Sequence, residues 1–405
     1  MKYDFTSIID RRGMDALALD NIGKVHWGNE PEAPKEGFDP IPMWVADMNF
    51  ATCPAVTEAI VRRAGHPLFG YFMPREEYYG AIMDWQSRRN GHKGLMREHI
   101  GYENGVHGLV TSAVETLSAP GDCILLHSPT YVGFASDVEG LGRQSVYSPL
   151  KRDEGGVWRM DYADMDAKLK EHHIHLAIFC SPHNPTGRVW ERWELEKAME
   201  VYAANDCYVI SDEIWADLIY SGHRHVPTQM VSHWAREHTM AAYAPSKTFN
   251  LAGLVGAYHI IYNKYLRDRV TARGEATHYN EMNVLSMHAL LGAYTPAGEE
   301  WTGELLQVLE GNARYAVEHI RENYPGVEVS MPQGTYMIFL DCTAWCESRG
   351  KSLDELLKAG WNVGVAWQDG RGFQGPCHIR MNLASPKSRI QEAFERLDRY
   401  VFQVK

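Results

Sequence analysis

Three short apolar runs stand out in the middle of the chain. They are Cys123–His127 (CILLH), Leu176–Cys180 (LAIFC) and Cys207–Ser211 (CYVIS). Each is unbroken by polar residues, the pattern of a strand covered on both faces. Each also ends at a turn: Ser128-Pro129, Ser181-Pro182 and Asp212-Glu213. Leu195, Met199 and Tyr202 recur at i, i+4 and i+7, one face of a helix between the second and third runs. Strand, helix, strand at this spacing predicts a parallel α/β sheet, with its chemistry beyond the carboxyl ends of the strands.

The chain ends read differently. Residues 1–45 are rich in turns, with Pro31, Pro34, Pro40 and Pro42, and predict an N-terminal arm with part of a smaller domain. A break at Thr295–Gly298 precedes a helical pattern through Leu305, Leu309, Ala316 and Ile320. Strand-like runs follow at Thr335–Leu340 and His378–Leu383, then Ile390, Phe394, Leu397 and Val401 at helical spacing. The expected organisation is therefore a large domain over 46–290 and a small α+β domain over 291–405, with the N-terminal arm packing on the small domain or on a partner subunit.

Composition narrows the partners. With 405 residues, 45% apolar, the chain can bury a large core. Its formal charge of −12 and lack of basic blocks argue against nucleic acid, which needs a basic surface. No signal-peptide pattern and no apolar stretch of membrane-spanning length is present, which predicts a cytoplasmic protein without a membrane span. The seven cysteines are scattered, odd in number and without a CxxC, so neither a disulfide framework nor a structural zinc site is expected. His172, His173 and His175 lack any zinc motif with a carboxylate and read as a solvated helix end; no metal is expected.

Three polar segments lie in order just past apolar runs: Ser181–Gly187 (SPHNPTG), Ser211–Trp215 (SDEIW) and Ala244–Gly253 (APSKTFNLAG). Taken singly, each reads as ordinary structure: a turn, a helix N-cap, a solvated lysine. Together, Asn184, Asp212 about thirty residues on and Lys247 about thirty-five later resemble the aspartate aminotransferase superfamily, fold type I of the pyridoxal phosphate (PLP) enzymes. The resemblance runs over essentially the whole chain. It implies an α/β fold, with a mostly parallel seven-stranded sheet flanked by helices and a small α+β domain.

It also implies a PLP cofactor and roles for particular residues. Lys247 would form the Schiff base and carry the Cα proton. Asp212 would keep the ring nitrogen protonated, since an opposite charge favours the charged form. Asn184 would donate to the ring O3′, and the Tyr131 ring would stack on the pyridine. Asn104–Gly108 opens a helical pattern over Leu109–Leu117, so Val106 and His107 would offer backbone N–H groups to the phosphate, with Ser246 adding a hydroxyl. Tyr71 would reach that phosphate from the neighbouring subunit, which implies a homodimer with shared active sites. Arg380, in CHIRMN, would grip the substrate carboxylate with its planar fork; a surface arginine on a strand fits the same pattern.

Asp4–Arg12 (DFTSIIDRR), Pro42–Phe50 (PMWVADMNF), SPHNPTGRVW and PSKTFNLAG resemble one branch more closely, the C–S lyases of the cystathionine β-lyase type. That branch passes Val45 and Ala46 close to the substrate carboxylate. The resemblance implies α,β-elimination of cystathionine or an S-substituted cysteine to a thiol, pyruvate and ammonia. The alternative is an aminotransferase acting on an aromatic or small amino acid. The chain departs from the branch at Asn49, where Asp is usual, at Trp215, where His is usual, and over Ala16–Asp20 (ALALD). Val255 stands where the wider class often has Arg or Lys to bind phosphate.

Overall fold

The structure is a computed structural model describing every residue except Trp27, Asn29 and Lys405. It divides into two compact units: a large one of residues 52–184 and 188–303, and a small one of residues 1–51, 185–187 and 304–405.

The large unit is built on a seven-stranded sheet. Its strands are β1 (Ile100–Asn104), β2 (Cys123–Ser128), β3 (Gln144–Pro149), β4 (Leu176–Cys180), β5 (Tyr208–Asp212), β6 (Thr239–Tyr243) and β7 (Gly256–Ile260). The order across the sheet is β1-β7-β6-β5-β4-β2-β3. Neighbours from β6 to β3 pair in parallel; β7 runs antiparallel to both β6 and β1.

The apolar runs are continuous because alternate residues feed two separate cores. Ile124, Leu126, Ile178 and Ile210 face one side, where Leu109, Val110, Ala113 and Val114 of helix α1 (Gly105–Leu117) and Leu266 and Val270 pack against them. Leu125, Ala177, Phe179 and Val209 face the other, against Leu195, Ala198, Met199 and Tyr202 of helix α3 (Arg192–Ala204). Helix α2 (Val132–Gly140) lies between β2 and β3 in the chain and adds Phe134 and Val138 to the first core.

The third strand is shifted by one residue from its apolar run. Cys207 donates its N–H to the Tyr202 carbonyl (3.0 Å) at the end of α3, and the ladder begins at Tyr208, paired with Leu176. At its far end Asp212 pairs with Cys180 and Ala242 and so belongs to the strand itself.

In the small unit, β8 (Glu328–Val329), β9 (Met337–Asp341), β10 (Gln368–Asp369) and β11 (His378–Asn382) form an antiparallel sheet in the order β8-β9-β11-β10. The run expected from Thr335 starts two residues later, because Thr335 adopts a left-handed φ of 67° that no strand accommodates. Leu305, Leu309, Ala316 and Ile320 are all buried in the helix Pro296–Asn323. Ile390, Phe394 and Leu397 are buried in Lys387–Leu397, whereas Val401 falls in the following π-helical turn. All seven cysteines are free thiols. Among the described residues, no helix is long and apolar enough to cross a membrane and no cluster could hold a metal ion.

Candidate active site

Three neighbouring strands bring the polar segments of the large unit together. β4, β5 and β6 are adjacent and parallel, so the segments that leave them emerge on one edge of the sheet. The backbone joins them. Ser181 N–H donates to the Asp212 carbonyl and Glu213 N–H donates to the Ala242 carbonyl, both at 2.9 Å. Asn184, Asp212 and Lys247 therefore stand on segments that leave three consecutive strands.

Asp212 and Asn184 are buried, and Lys247 is half-buried. Asp212 accepts a hydrogen bond from the Ile214 N–H at 3.0 Å. Burial pushes its carboxyl up to about 6, against the pull of that N–H and of the positive charges of His107 and Lys247. The Lys247 amine lies 5.7 Å from the centroid of the Trp215 ring, which is itself buried. After Lys247 the chain turns tightly: Phe249 N–H bonds the Pro245 carbonyl (2.8 Å) and Leu251 N–H the Ser246 carbonyl (3.0 Å).

Next to Asp212 lies a buried polar network that the sequence does not announce. Glu213 accepts from His225 (2.7 Å) and from the Tyr243 hydroxyl (2.5 Å) through one oxygen, and from Thr228 N–H and the Ser211 hydroxyl (both 3.0 Å) through the other. Burial works to raise the Glu213 carboxyl, but the bonds from His225 and Tyr243 outweigh it and hold it below the usual carboxylate range. A second carboxylate thus sits satisfied behind the first.

Helix α1 begins at Gly105, four residues earlier than the apolar pattern, which places Val106 and His107 in its first turn. First-turn N–H groups have no acceptor within the helix. Gly105 N–H is taken by the Val255 carbonyl at 2.6 Å. The N–H groups of Val106 and His107 follow it, at the positive end of the helix dipole. Val255 holds that carbonyl in place from a left-handed φ of 61°, a costly conformation for a β-branched residue. The His107 imidazole has partners of its own: Nδ1 lies 2.6 Å from Asp137 Oδ2, and Nε2 lies 3.4 Å from the Tyr131 hydroxyl. The bond to Asp137 raises the His107 imidazole above the ordinary histidine range despite its burial.

In the small unit, Arg380 lies on β11 opposite Gln368 and Phe339. It is buried, not a surface arginine. Its Nη2 donates to the Trp44 carbonyl at 2.7 Å and to the Gln368 side chain, and its guanidinium lies 4.4 Å from the Phe373 ring centroid. The neighbouring Val45–Asp47 backbone is pinned by side chains. Asn382 donates to the Val45 carbonyl (2.6 Å) and to that of Asp47 (2.5 Å), and the Tyr336 hydroxyl donates to the Ala46 carbonyl (3.0 Å). Arg11 binds Asp47 (2.6 Å) and the Asn49 side chain (3.0 Å). Tyr71, by contrast, is fully exposed between two helices, beside exposed Leu68, Phe69 and Met73.

Comparison with known proteins identifies the family. Residues 40–397 match the family model for aminotransferase class I and II. The cystathionine beta-lyase PatB of Bacillus subtilis (strain 168) is 32% identical over 363 residues, which cover 89% of this chain and 92% of that protein. The protein MalY of Escherichia coli (strain K12) is 29% identical over 96% of each chain. Among solved structures, cystalysin of Treponema denticola, which contains a pyridoxal 5′-phosphate cofactor, superposes with a TM-score of 0.89 at 29% identity over 98% of each chain. The match to the family model spans most of the sequence, and the chain belongs to the class I and II aminotransferase family.

Proposed function

We propose that this chain is a PLP-dependent C–S β-lyase, which cleaves cystathionine or an S-substituted cysteine to a thiol, pyruvate and ammonia. The relatives support the reaction: PatB is a cystathionine beta-lyase and a C–S lyase of Staphylococcus hominis has the same fold, with a TM-score of 0.88. One observation in this structure carries the reading. A buried carboxylate, Asp212, lies within electrostatic reach of a lysine, Lys247, where adjacent parallel strands end.

The residues fit the cofactor. A buried acid already pushed up to about 6 suits a cationic ring nitrogen, whose charge would offset the burial cost. First-turn N–H groups at Val106 and His107 suit a phosphate, as does the Ser246 hydroxyl beside Lys247. Tyr131 offers an aromatic face and Asn184 an amide donor for O3′. Bound there, PLP supplies an electron-withdrawing ring that stabilises the charge left on Cα when a bond to it breaks.

The protein supplies the rest. Arg380 binds the substrate carboxylate through its fork, beside the fixed backbone of Ala46. Lys247 Nζ takes the Cα proton as general base. The Cβ–S bond then breaks, its electron pair leaves with sulfur, and the thiolate is protonated to thiol. The aminoacrylate that remains takes up water to give pyruvate and ammonia. Trp215 walls the Lys247 amine without adding a second acid, because an indole N–H does not titrate in this range.

The active form is a homodimer in which Tyr71 reaches the phosphate of the neighbouring site. Its full exposure within an apolar loop supports this, since such patches mark contact surfaces. The test is direct. Purified protein loaded with PLP is given cystathionine or an S-alkylcysteine, and thiol, pyruvate and ammonia are measured. Their release supports the proposal. Formation of a keto acid only when an amino acceptor is supplied, with no thiol, refutes it.

A further inference from the structure

We propose that Asp137 and His107 form a positioning pair, which sets a charge-paired imidazole against Tyr131 and within electrostatic reach of Asp212 and Lys247. The inference rests on the PLP reading above and adds to it a residue pair that tunes the Lys247 nitrogen.

The geometry is specific. Asp137 lies on α2, in the second turn after its N-cap Tyr131, and its Oδ2 is 2.6 Å from His107 Nδ1. That contact leaves Nε2 directed at the Tyr131 hydroxyl, at 3.4 Å. The two rings are 5.8 Å apart and tilted by 53°. Gly133 makes room for both. A Cβ there would meet His107 Cε1 at 2.4 Å and Tyr131 Cε1 at 2.5 Å, so any larger residue would drive the rings from their places.

Three charges act on the imidazole: Asp137 on α2, Asp212 at the end of β5 and Lys247 after β6; the neutral Tyr131 hydroxyl before α2 is its hydrogen-bond partner. The Asp137 bond favours the imidazolium, against the opposing charge of Lys247. An imidazolium here stabilises ionised Asp212, as the ring nitrogen requires, and disfavours a proton on the Lys247 nitrogen, as a base requires. The pair thus acts through Asp212, Tyr131 and Lys247. It need not touch substrate.

The test uses PLP-loaded protein and two readouts besides turnover. The first is the pH midpoint of the visible absorbance band of the bound cofactor. His107→Gln removes the cation and leaves Asp137 unpaired, so the midpoint should rise by roughly half a unit or more. Asp137→Asn should raise it less, by lowering the charge on His107. The second readout is the titration of the His107 ring by NMR, which should fall toward the free-histidine range in Asp137→Asn. Should His107→Gln fail to fold, the Asp137→Asn measurements decide alone. A midpoint that stays fixed or falls, or a His107 titration indifferent to Asp137→Asn, overturns the pair. A wild-type protein with no visible band on addition of PLP overturns instead the functional reading on which the pair rests.

Discussion

The Lys247 amine sits 5.7 Å from the centre of the Trp215 indole, three residues beyond Asp212. A cation over an indole face gains about 0.5–2 kcal/mol. Trp215→Phe keeps an aromatic wall but weakens that attraction for the charged amine, so the acid limb of the kcat–pH profile should move to lower pH by up to about 1.5 units, with KM nearly unchanged. Trp215→Ala should instead cost about 3–5 kcal/mol of stability through the cavity it leaves. Steady-state kinetics and thermal unfolding separate the two effects.

Arg380 is buried and oriented by the Trp44 carbonyl and the Gln368 side chain. Arg380→Lys retains a positive charge but not the planar fork. It should lower kcat/KM by about 10- to 100-fold, mainly through KM, the size of a charge-assisted hydrogen bond. The cofactor's absorbance spectrum should not change. A spectrum that changes as much as KM would place Arg380 at the cofactor.

On the proposed function, Asp212 would make PLP binding pH-dependent, with a definite sign. Its carboxyl is raised to about 6 in the protein without cofactor, and the cationic ring nitrogen would lower it on binding. Binding therefore favours the ionised acid, so affinity should be flat above about pH 6. It should fall as pH drops below that value, by up to about tenfold per unit. Titration of the unloaded protein with PLP from about pH 5 to about pH 8 measures this. Asp212→Asn should flatten the profile.

Much of the large unit was legible because its central strands are covered on both faces. Cys123–His127 and Leu176–Cys180 announce themselves as apolar runs, and both are strands. β3 does not, because it lies at the sheet edge with mostly exposed or half-buried residues from Gln144 to Pro149. Nor does β7, whose Gly256–Ile260 carries His259 in the core, bonded to Glu103 at 2.6 Å. Polar pairing hides such a strand from an apolar pattern. The site divides in the same way. Asn184, Asp212 and Lys247 could be read in order along the chain. The Asp137–His107 contact and the Glu213 network could not, because they join side chains from different elements.

A shared active site predicts complementation between inactive variants. On the proposed function, Lys247→Ala would lack the base, and Tyr71→Ala would lack the phosphate contact supplied to the neighbouring site. In a mixed dimer one site carries both defects and the other carries none. Co-folded in equal amounts, the two variants should recover about a quarter of wild-type activity, since about half the dimers are mixed and each has one intact site. Recovery no greater than the sum of the separate variants would mean that Tyr71 serves its own chain.

The most direct measurement compares wild type with Lys247→Ala, both supplied with PLP and cystathionine, by following thiol, pyruvate and visible absorbance together. The account predicts that wild type, freed of unbound PLP, shows the band before substrate is added and then releases thiol and pyruvate in equal amounts, while Lys247→Ala shows no such band before substrate and releases neither product. Thiol and pyruvate release that survives in Lys247→Ala, or a wild type that binds PLP and releases neither product, would contradict it.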